Sequence, residues 1–225
     1  TDIWKSLEQT GSSQYLARKK VAGINIRYSR GAVVVPLRGI NGDLTGLQFI
    51  SDDGSKKFLT GTAKLGAFHL LGVITPDLPL VVAEGYATAA SIHMATSYPV
   101  VIAFDAGNIV KVVSELRKAH PKQVIIIAAD NDDAGLKHAN QASKKSHVRV
   151  VVPVFRKMAN GKKLTDFNDL HQSEGLEVVK EIIATASQQN EPAQQESTHT
   201  SMGIPLESEE SQNGYYASDR GVFFI

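Results

Sequence analysis

Three short acidic sequences each follow an uncharged apolar run. Glu84-Gly85 comes after Leu80-Val81-Val82-Ala83, Asp105-Ala106-Gly107-Asn108 after the run that starts at Val100, and Asp130-Asn131-Asp132-Asp133 after Val124 to Ala129. Continuous apolar runs of this length mark strands covered on both faces. In an open parallel sheet, ligands bind outside the carboxyl ends of the strands. Each strand therefore delivers a carboxylate to one edge of the sheet. Like charges gathered there repel unless a cation neutralises them. Hard divalent cations with oxygen ligands answer that need, and magnesium takes one or two carboxylates with water and phosphate completing its shell. Mg²⁺ is the expected cofactor, with Mn²⁺ as a substitute.

Asp130 and Asp132 are the central pair. Alternate residues of an extended turn point the same way, so Asp-x-Asp presents two carboxylates to one side. Such a pair can bridge metal ions that hold a triphosphate and a 3′-hydroxyl for in-line attack. Asp133 reads better as the N-cap of the following helix. Glu84 is a candidate general acid/base or third metal-facing carboxylate, although carboxylates also favour helix N-termini. Gly85 would let backbone approach a phosphate closely. Asp105 and Asn108 could position substrate, and turn chemistry explains them nearly as well. Asp166 and Asp169, in Thr165-Asp166-Phe167-Asn168-Asp169-Leu170, follow a basic loop from Lys157 to Lys163. For each, a helix cap and a role at the carboxylate edge stand as equal alternatives.

The elements that must position these groups follow from periodicity. Helices are expected from about Tyr86 to Thr96, Ile109 to Ala119, Ala134 to Ser146 and Leu176 to Ala186. Strands are expected at 80–83, 100–104, 124–129 and 148–152. This alternation implies an α/β fold, a parallel sheet with right-handed crossovers. Ahead of it, Thr1 to about Val21 reads as one helix with Ile3, Leu7, Tyr15 and Leu16 inward. Strands at 32–37, 44–50 and 56–59 follow, the first two joined by an Asn41-Gly42 hairpin turn, so residues 31–75 form a small antiparallel unit.

Composition narrows the classes. The apolar fraction is 42% and the charged fraction 21%, as in globular proteins, and no apolar run is long enough to span a bilayer. Cysteine is absent, so these residues hold no disulfide or thiolate zinc site, and a reducing cytoplasm fits. The net charge of +1 conceals a gradient. Residues 1–75 carry ten Lys/Arg against five Asp/Glu, whereas Ser187 to Gln212 carry five acidic residues and no Lys or Arg. A basic front suits a polyanion. Residues 187–212 read as a linker, and Tyr215 to Ile225 as two strands opening a further domain, so the chain is expected to be a fragment of a longer protein.

Glu84-Gly85-Tyr86-Ala87-Thr88-Ala89, Asp130-Asn131-Asp132 and Asp166-Phe167-Asn168-Asp169-Leu170 closely resemble the TOPRIM domain of bacterial-type primases, topoisomerases and some small nucleases. The glutamate motif is most similar to primases of plasmids, phages and integrating elements. The resemblance covers Leu80 to about Leu170. It implies a Rossmann-like sheet flanked by helices, an acidic triad of Glu84, Asp130 and Asp132, and Mg²⁺ held by Asp130 and Asp132. Tyr15-Leu16-Ala17-Arg18, Val35-Pro36-Leu37-Arg38, Gly42 to Ile50 and Lys56-Lys57-Phe58-Leu59 resemble the small basic subdomain ahead of that domain in bacterial-type primases. Arg38, Lys56, Lys57 and Lys64 are its candidates for gripping template backbone, beside the plainer reading of a solvated hairpin surface. A cysteine-ligated zinc module, usual in such primases, is not among these residues.

The expected organisation is a basic subdomain at 1–75, a TOPRIM domain at 76–186, a linker at 187–212 and the start of a helicase-associated domain at 213–225. The expected activity is Mg²⁺-dependent synthesis of RNA primers from ribonucleotides on a single-stranded DNA template, with a fused or associated helicase and no membrane. A metal-dependent nuclease and a non-catalytic docking module are the alternatives.

Overall fold

The computed structural model describes residues 2–156 and 163–188. The linker and the helicase-associated start expected beyond them, and most of the basic loop from Lys157, lie outside the described residues. Among the described residues, no helix is long and apolar enough to cross a membrane.

The chain opens with two short helices, α1 (Asp2–Ser6) and α2 (Gln14–Lys19), in place of the single helix expected. Two interactions break it. Glu8 pairs backbone to backbone with Tyr28, and a Cβ at Gly11 would lie 2.7 Å from the Tyr28 ring, so the chain crosses that ring where only glycine fits. Tyr15 and Leu16 are buried as expected, whereas Ile3 is 45% exposed.

An antiparallel sheet follows in the order β1 (Arg27–Ser29), β2 (Ala32–Arg38), β3 (Leu44–Ile50), β4 (Lys56–Phe58). Gly42, at φ +85°, turns β2 into β3. β1 stops pairing at Val34, so Pro36, which lacks an N–H, sits where β2 has a single neighbour. Opposed residues share a face. Ile50 and Gln48 lie opposite Lys56 and Phe58, so these four point one way and Lys57 points the other.

The second sheet has the order β5-β7-β6-β8-β9. Its strands are β5 (His69–Leu71), β6 (Leu80–Ala83), β7 (Val100–Ile102), β8 (Ile125–Ala128) and β9 (Arg149–Val151). β6 to β9 are parallel, as expected. β5, which the sequence did not suggest, is an antiparallel edge strand on β7. The helices are α3 (Tyr86–Thr96), α4 (Ala106–Ala119), α5 (Asp133–Ser146), α6 (Phe167–Glu174) and α7 (Leu176–Gln188). α3, α6 and α7 cover one face, where Val81, Ala83 and Ile102 meet Ala90, Leu170 and Ile183. α4 and α5 cover the other, where Leu80, Val82 and Ile127 meet Ile109, Leu116 and Ala142. The first core continues into Val33, Val35 and Leu37 of β2. Burying apolar strands on both faces explains why β6, β7 and β8 lack the alternation of half-buried strands.

Candidate active site

From β6 the chain moves through α3 to β7 on one side. From β7 it crosses by α4 to β8 on the other. The carboxyl ends of β6 and β8 thus flank the point where successive connections depart in opposite directions, the place where open α/β sheets hold ligands. Glu84 leaves β6 there, and Asp130 follows β8 after Ala129. A cleft of about 320 Å³ lies at this edge, and its lining includes the acidic Asp53, Glu84, Asp130 and Asp166 together with the basic Arg18, Lys19 and Lys56.

Helix starts determine how the remaining carboxylates are held. Asp105 caps α4 by accepting from the Asn108 N–H at 3.0 Å and forms an ion pair with Lys64. Asp132 caps α5 by accepting from the Gly135 N–H at 2.8 Å. This corrects the expectation for Asp133, which lies within the first turn. Asp166 caps α6 by accepting from the Asp169 N–H at 2.7 Å, while Asp169 accepts from the Thr165 N–H at 3.1 Å. The two alternatives for Asp166 are thus both realised: it caps a helix and lines the cleft.

Asp130 differs from these three. Its Oδ1 is buried and has no hydrogen-bond partner among the described residues. Burial pushes its carboxyl up to about 7, assisted by Asp166, Glu84 and Asp132 and opposed by Lys56. Burial also raises Glu84, with Lys56 opposing and Asp105, Asp132 and Asp166 adding to the rise. Asp166 is raised by burial, against the pull of the Asp169 N–H. The phenol of Tyr15 is pushed up to about 12 by burial and by Asp166.

The carboxylates therefore act on one another through space, yet they are spread. Among the described residues no three carboxylate or imidazole side chains gather tightly enough to enclose an ion. The expectation that Glu84, Asp130 and Asp132 converge that closely is not met, and the Oδ1 of Asp132 accepts from the Gly135 N–H. A divalent cation that needs one or two protein carboxylates still fits: the donors are hard oxygens, and Asp130 Oδ1 is a buried acceptor without a donor.

Two glycines lie beside residues of the cleft. The Lys56 Nζ stands 3.4 Å from where a Cβ on Gly85 would be, so that ammonium lies beside the start of α3. A Cβ on Gly135 would lie 2.6 Å from the Asp130 carbonyl oxygen, so α5 can start against Asp130 because this position lacks a side chain. The sequence reading missed Gly135, although a glycine within a helix is itself a signal.

The other expected contacts divide. Lys56 lines the cleft, whereas Lys64 is paired to Asp105 and neither of these two is among its lining residues. Lys57 is on the opposite face of β4. Arg38 donates to the Gly42 carbonyl at 2.8 Å and lines a different hollow, about 710 Å³, with Trp4, Arg27 and His69. That hollow is larger but is lined by no carboxylate. Asn108 does not face substrate space: its buried amide accepts from the Gly66 N–H and donates to the Ala67 and Ala103 carbonyls. It secures the segment before β5 to the sheet. Arg18 and Lys19, which also line the cleft, were not singled out from sequence, because their proximity to Asp166 is purely tertiary.

Residues 79–177 match the Toprim domain family. Two curated relatives are DNA primase TraC proteins of Escherichia coli. One is 32% identical over 133 residues, covering 54% of this chain and 12% of the relative. The other is 30% identical over 161 residues, covering 65% and 11%. The chain thus spans about an eighth or less of the length of these relatives. Among solved structures, the primase fragment of the bacteriophage T7 primase-helicase protein is similar with TM-score 0.53 at 23% identity, over 70% of this chain and 66% of that one. A structure of the T7 lagging-strand DNA polymerase interacting with primase domains bound to an RNA/DNA hybrid and dTTP gives TM-score 0.56 at 22% identity, over 80% and 92%. At these identities the likeness establishes the fold.

Proposed function

We propose that the chain, whose residues 79–177 match the Toprim domain family, is the catalytic core of a DNA primase, joining ribonucleotides into RNA primers on single-stranded DNA. The observation that carries this reading is the bare Oδ1 of Asp130 in a cleft that Arg18, Lys19 and Lys56 line together with the carboxylates. The two curated relatives are named DNA primases, which supports the same reading.

In the reaction, a 3′-hydroxyl oxygen bonds to the α-phosphorus of a nucleoside triphosphate. The bond from that phosphorus to the oxygen bridging to the β-phosphate breaks, and pyrophosphate leaves with its electron pair. Glu84, its carboxyl raised by burial, is suited to take the proton of the attacking hydroxyl. Arg18, Lys19 and Lys56 balance triphosphate charge, with Lys56 beside Gly85. Asp130 and Asp132, with Asp166 beside them, would hold the divalent cation, for which we propose Mg²⁺ with Mn²⁺ as a substitute. When bound, it supplies neutralisation of charge on the phosphates and on the attacking and leaving oxygens. A single-stranded DNA template and a fused or associated helicase are the partners in this proposal, and an intracellular setting goes with it.

The test supplies the protein with single-stranded DNA, Mg²⁺ and ribonucleotides. Short RNA products should form with release of pyrophosphate, and both Asp130→Ala and Asp132→Ala should lose them. Full activity in these variants would overturn the site. Cleavage of the DNA without nucleotides would replace the reaction with that of a metal-dependent nuclease. DNA binding indifferent to Mg²⁺, with no product, would leave a docking module.

A further inference from the structure

We propose that Phe58 is a stacking platform for an unpaired nucleobase at the rim of the carboxylate cleft, an inference that rests on the nucleotidyl-transfer reading. Strand parity is the first observation. Lys56 and Phe58 lie opposite Ile50 and Gln48 in register, so both side chains leave β4 on the same face. The ammonium of Lys56 is in the cleft beside Gly85. Two residues along a strand span about 6.8 Å, within the reach of one nucleotide from phosphate to base. A phosphate on Lys56 therefore leaves its base within range of the Phe58 ring.

Exposure is the second. Phe58 is 38% exposed, although it stands against Phe104, which is 6% exposed, with ring centroids 6.1 Å apart at 69°. The part of the ring that stays exposed, with the Lys64 ammonium over it, forgoes the gain of burial. A base laid on it restores that gain without any particular hydrogen-bond pattern, because every base has a π-face.

Backbone strain is the third. Phe104 has φ +70°, in the left-handed region that bulky residues rarely occupy. Its N–H donates to the Glu84 carbonyl at 2.8 Å, so the strained residue is tied to the chain at a cleft carboxylate. Strain of this kind persists where surrounding structure enforces it, and it concentrates at functional sites. Here it holds the Phe104 ring as the support of Phe58. Lys64 stands over the same ring, with its Nζ 5.5 Å from the Phe58 centroid and paired to Asp105. It adds a cation for the sugar-phosphate of a stacked nucleotide.

The base can belong to the incoming nucleotide or to the template strand, and one experiment separates the two. Trp4 is the single tryptophan of the chain. Combining Trp4→Phe with Phe58→Trp therefore leaves one indole, at position 58. Its emission is titrated with ATP, with ribose triphosphate lacking a base, with a single-stranded oligodeoxynucleotide and with the abasic form of that strand. Quenching by ATP or by the oligonucleotide, and not by its baseless counterpart, is expected, and the ligand that quenches identifies the source. In direct binding, Phe58→Leu keeps apolar volume but loses the ring. It should weaken that ligand roughly 10- to 100-fold, while Phe58→Trp restores it. Unchanged affinity in Phe58→Leu, equal quenching by baseless ligands, or binding of neither ligand would overturn the platform. Base-dependent quenching in a protein that makes no primers would uphold the platform and remove the primase reading. Primers made at full rate by Phe58→Leu would do the reverse.

Discussion

Two buried polar regions lie within a few residues of each other along α3 and α6, and they are satisfied to opposite degrees. Behind the cleft, Asn168 is fully buried and donates to the Lys19 carbonyl at 2.8 Å and to Ser91 Oγ at 3.0 Å. Its Oδ1 accepts from Gln172 at 2.7 Å, and Ser91 meets His171 Nδ1 at 3.1 Å. In front, Asp130 keeps a bare oxygen, and burial raises Asp130, Glu84 and Asp166 together. Neutral groups that complete one another's hydrogen bonds specify a packing. Carboxylates that crowd without partners oppose folding. The rear network therefore serves position: it ties the end of α2, with Arg18 and Lys19, to the helix capped by Asp166. The front group, in the proposed reaction, serves chemistry at a cost in stability.

The largest effect that could break this contrast is at Asp130. Asp130→Asn should lower primer synthesis by roughly 10²- to 10³-fold while raising the thermal midpoint of the metal-free chain. Melts in chelator beside activity assays check both directions, and a lowered midpoint would show that the front group is satisfied after all. Next comes Asn168→Ala, which strands the Lys19 carbonyl and the Gln172 amide. It should cost about 1–3 kcal/mol, read as a shift of the urea midpoint, and an unshifted midpoint would remove the distinction.

The smallest effect sharpens the contrast through pH. Asp130 titrates at about 7 in the folded chain against an ordinary 3.8, so the folded chain binds its proton more tightly. That contribution to stability is complete below 3.8 and is lost as pH rises through about 7. His69, whose imidazole burial pushes down to about 4 from 6.5, acts oppositely. Its contribution is present above 6.5 and is lost as pH falls through about 4. Metal-free Asp130→Asn should therefore gain stability between pH 4 and 6.5 more steeply than the natural chain. Urea midpoints taken across that range measure the difference in slope.

The sequence made the parallel strands and the edge that carries Glu84, Asp105 and Asp130 legible, because strands buried on both faces are written as unbroken apolar runs. Asn41-Gly42 announced its hairpin through the backbone its turn requires. β1 and β5 stayed hidden, since three residues give too few positions for a pattern, and β4, equally short, was legible only as the continuation of the hairpin from β3. The cap of α5 was misplaced by one residue within Asp130-Asn131-Asp132-Asp133, where adjacent side chains offer similar acceptors and only the start of the helix chooses between them. The cations of the cleft could not be read, because Lys56 and Lys19 come near Glu84 and Asp166 only through the tertiary fold. Phe104 gave no warning either: a phenylalanine with positive φ is enforced from outside its own segment.

The antiparallel strand β5 has a practical consequence for anyone dividing this chain. Residues 79–177 coincide with the matched family, yet His69–Leu71 lie ahead of them and complete the sheet against β7. A piece trimmed to the family limits would present Val100–Ile102 as a naked, wholly apolar border, an invitation to fibril-like self-association. Purification of the matched region alone is better begun upstream of Phe68, whose main chain exchanges two 2.8 Å hydrogen bonds with Arg38 and so fastens that border strand to the opening sheet.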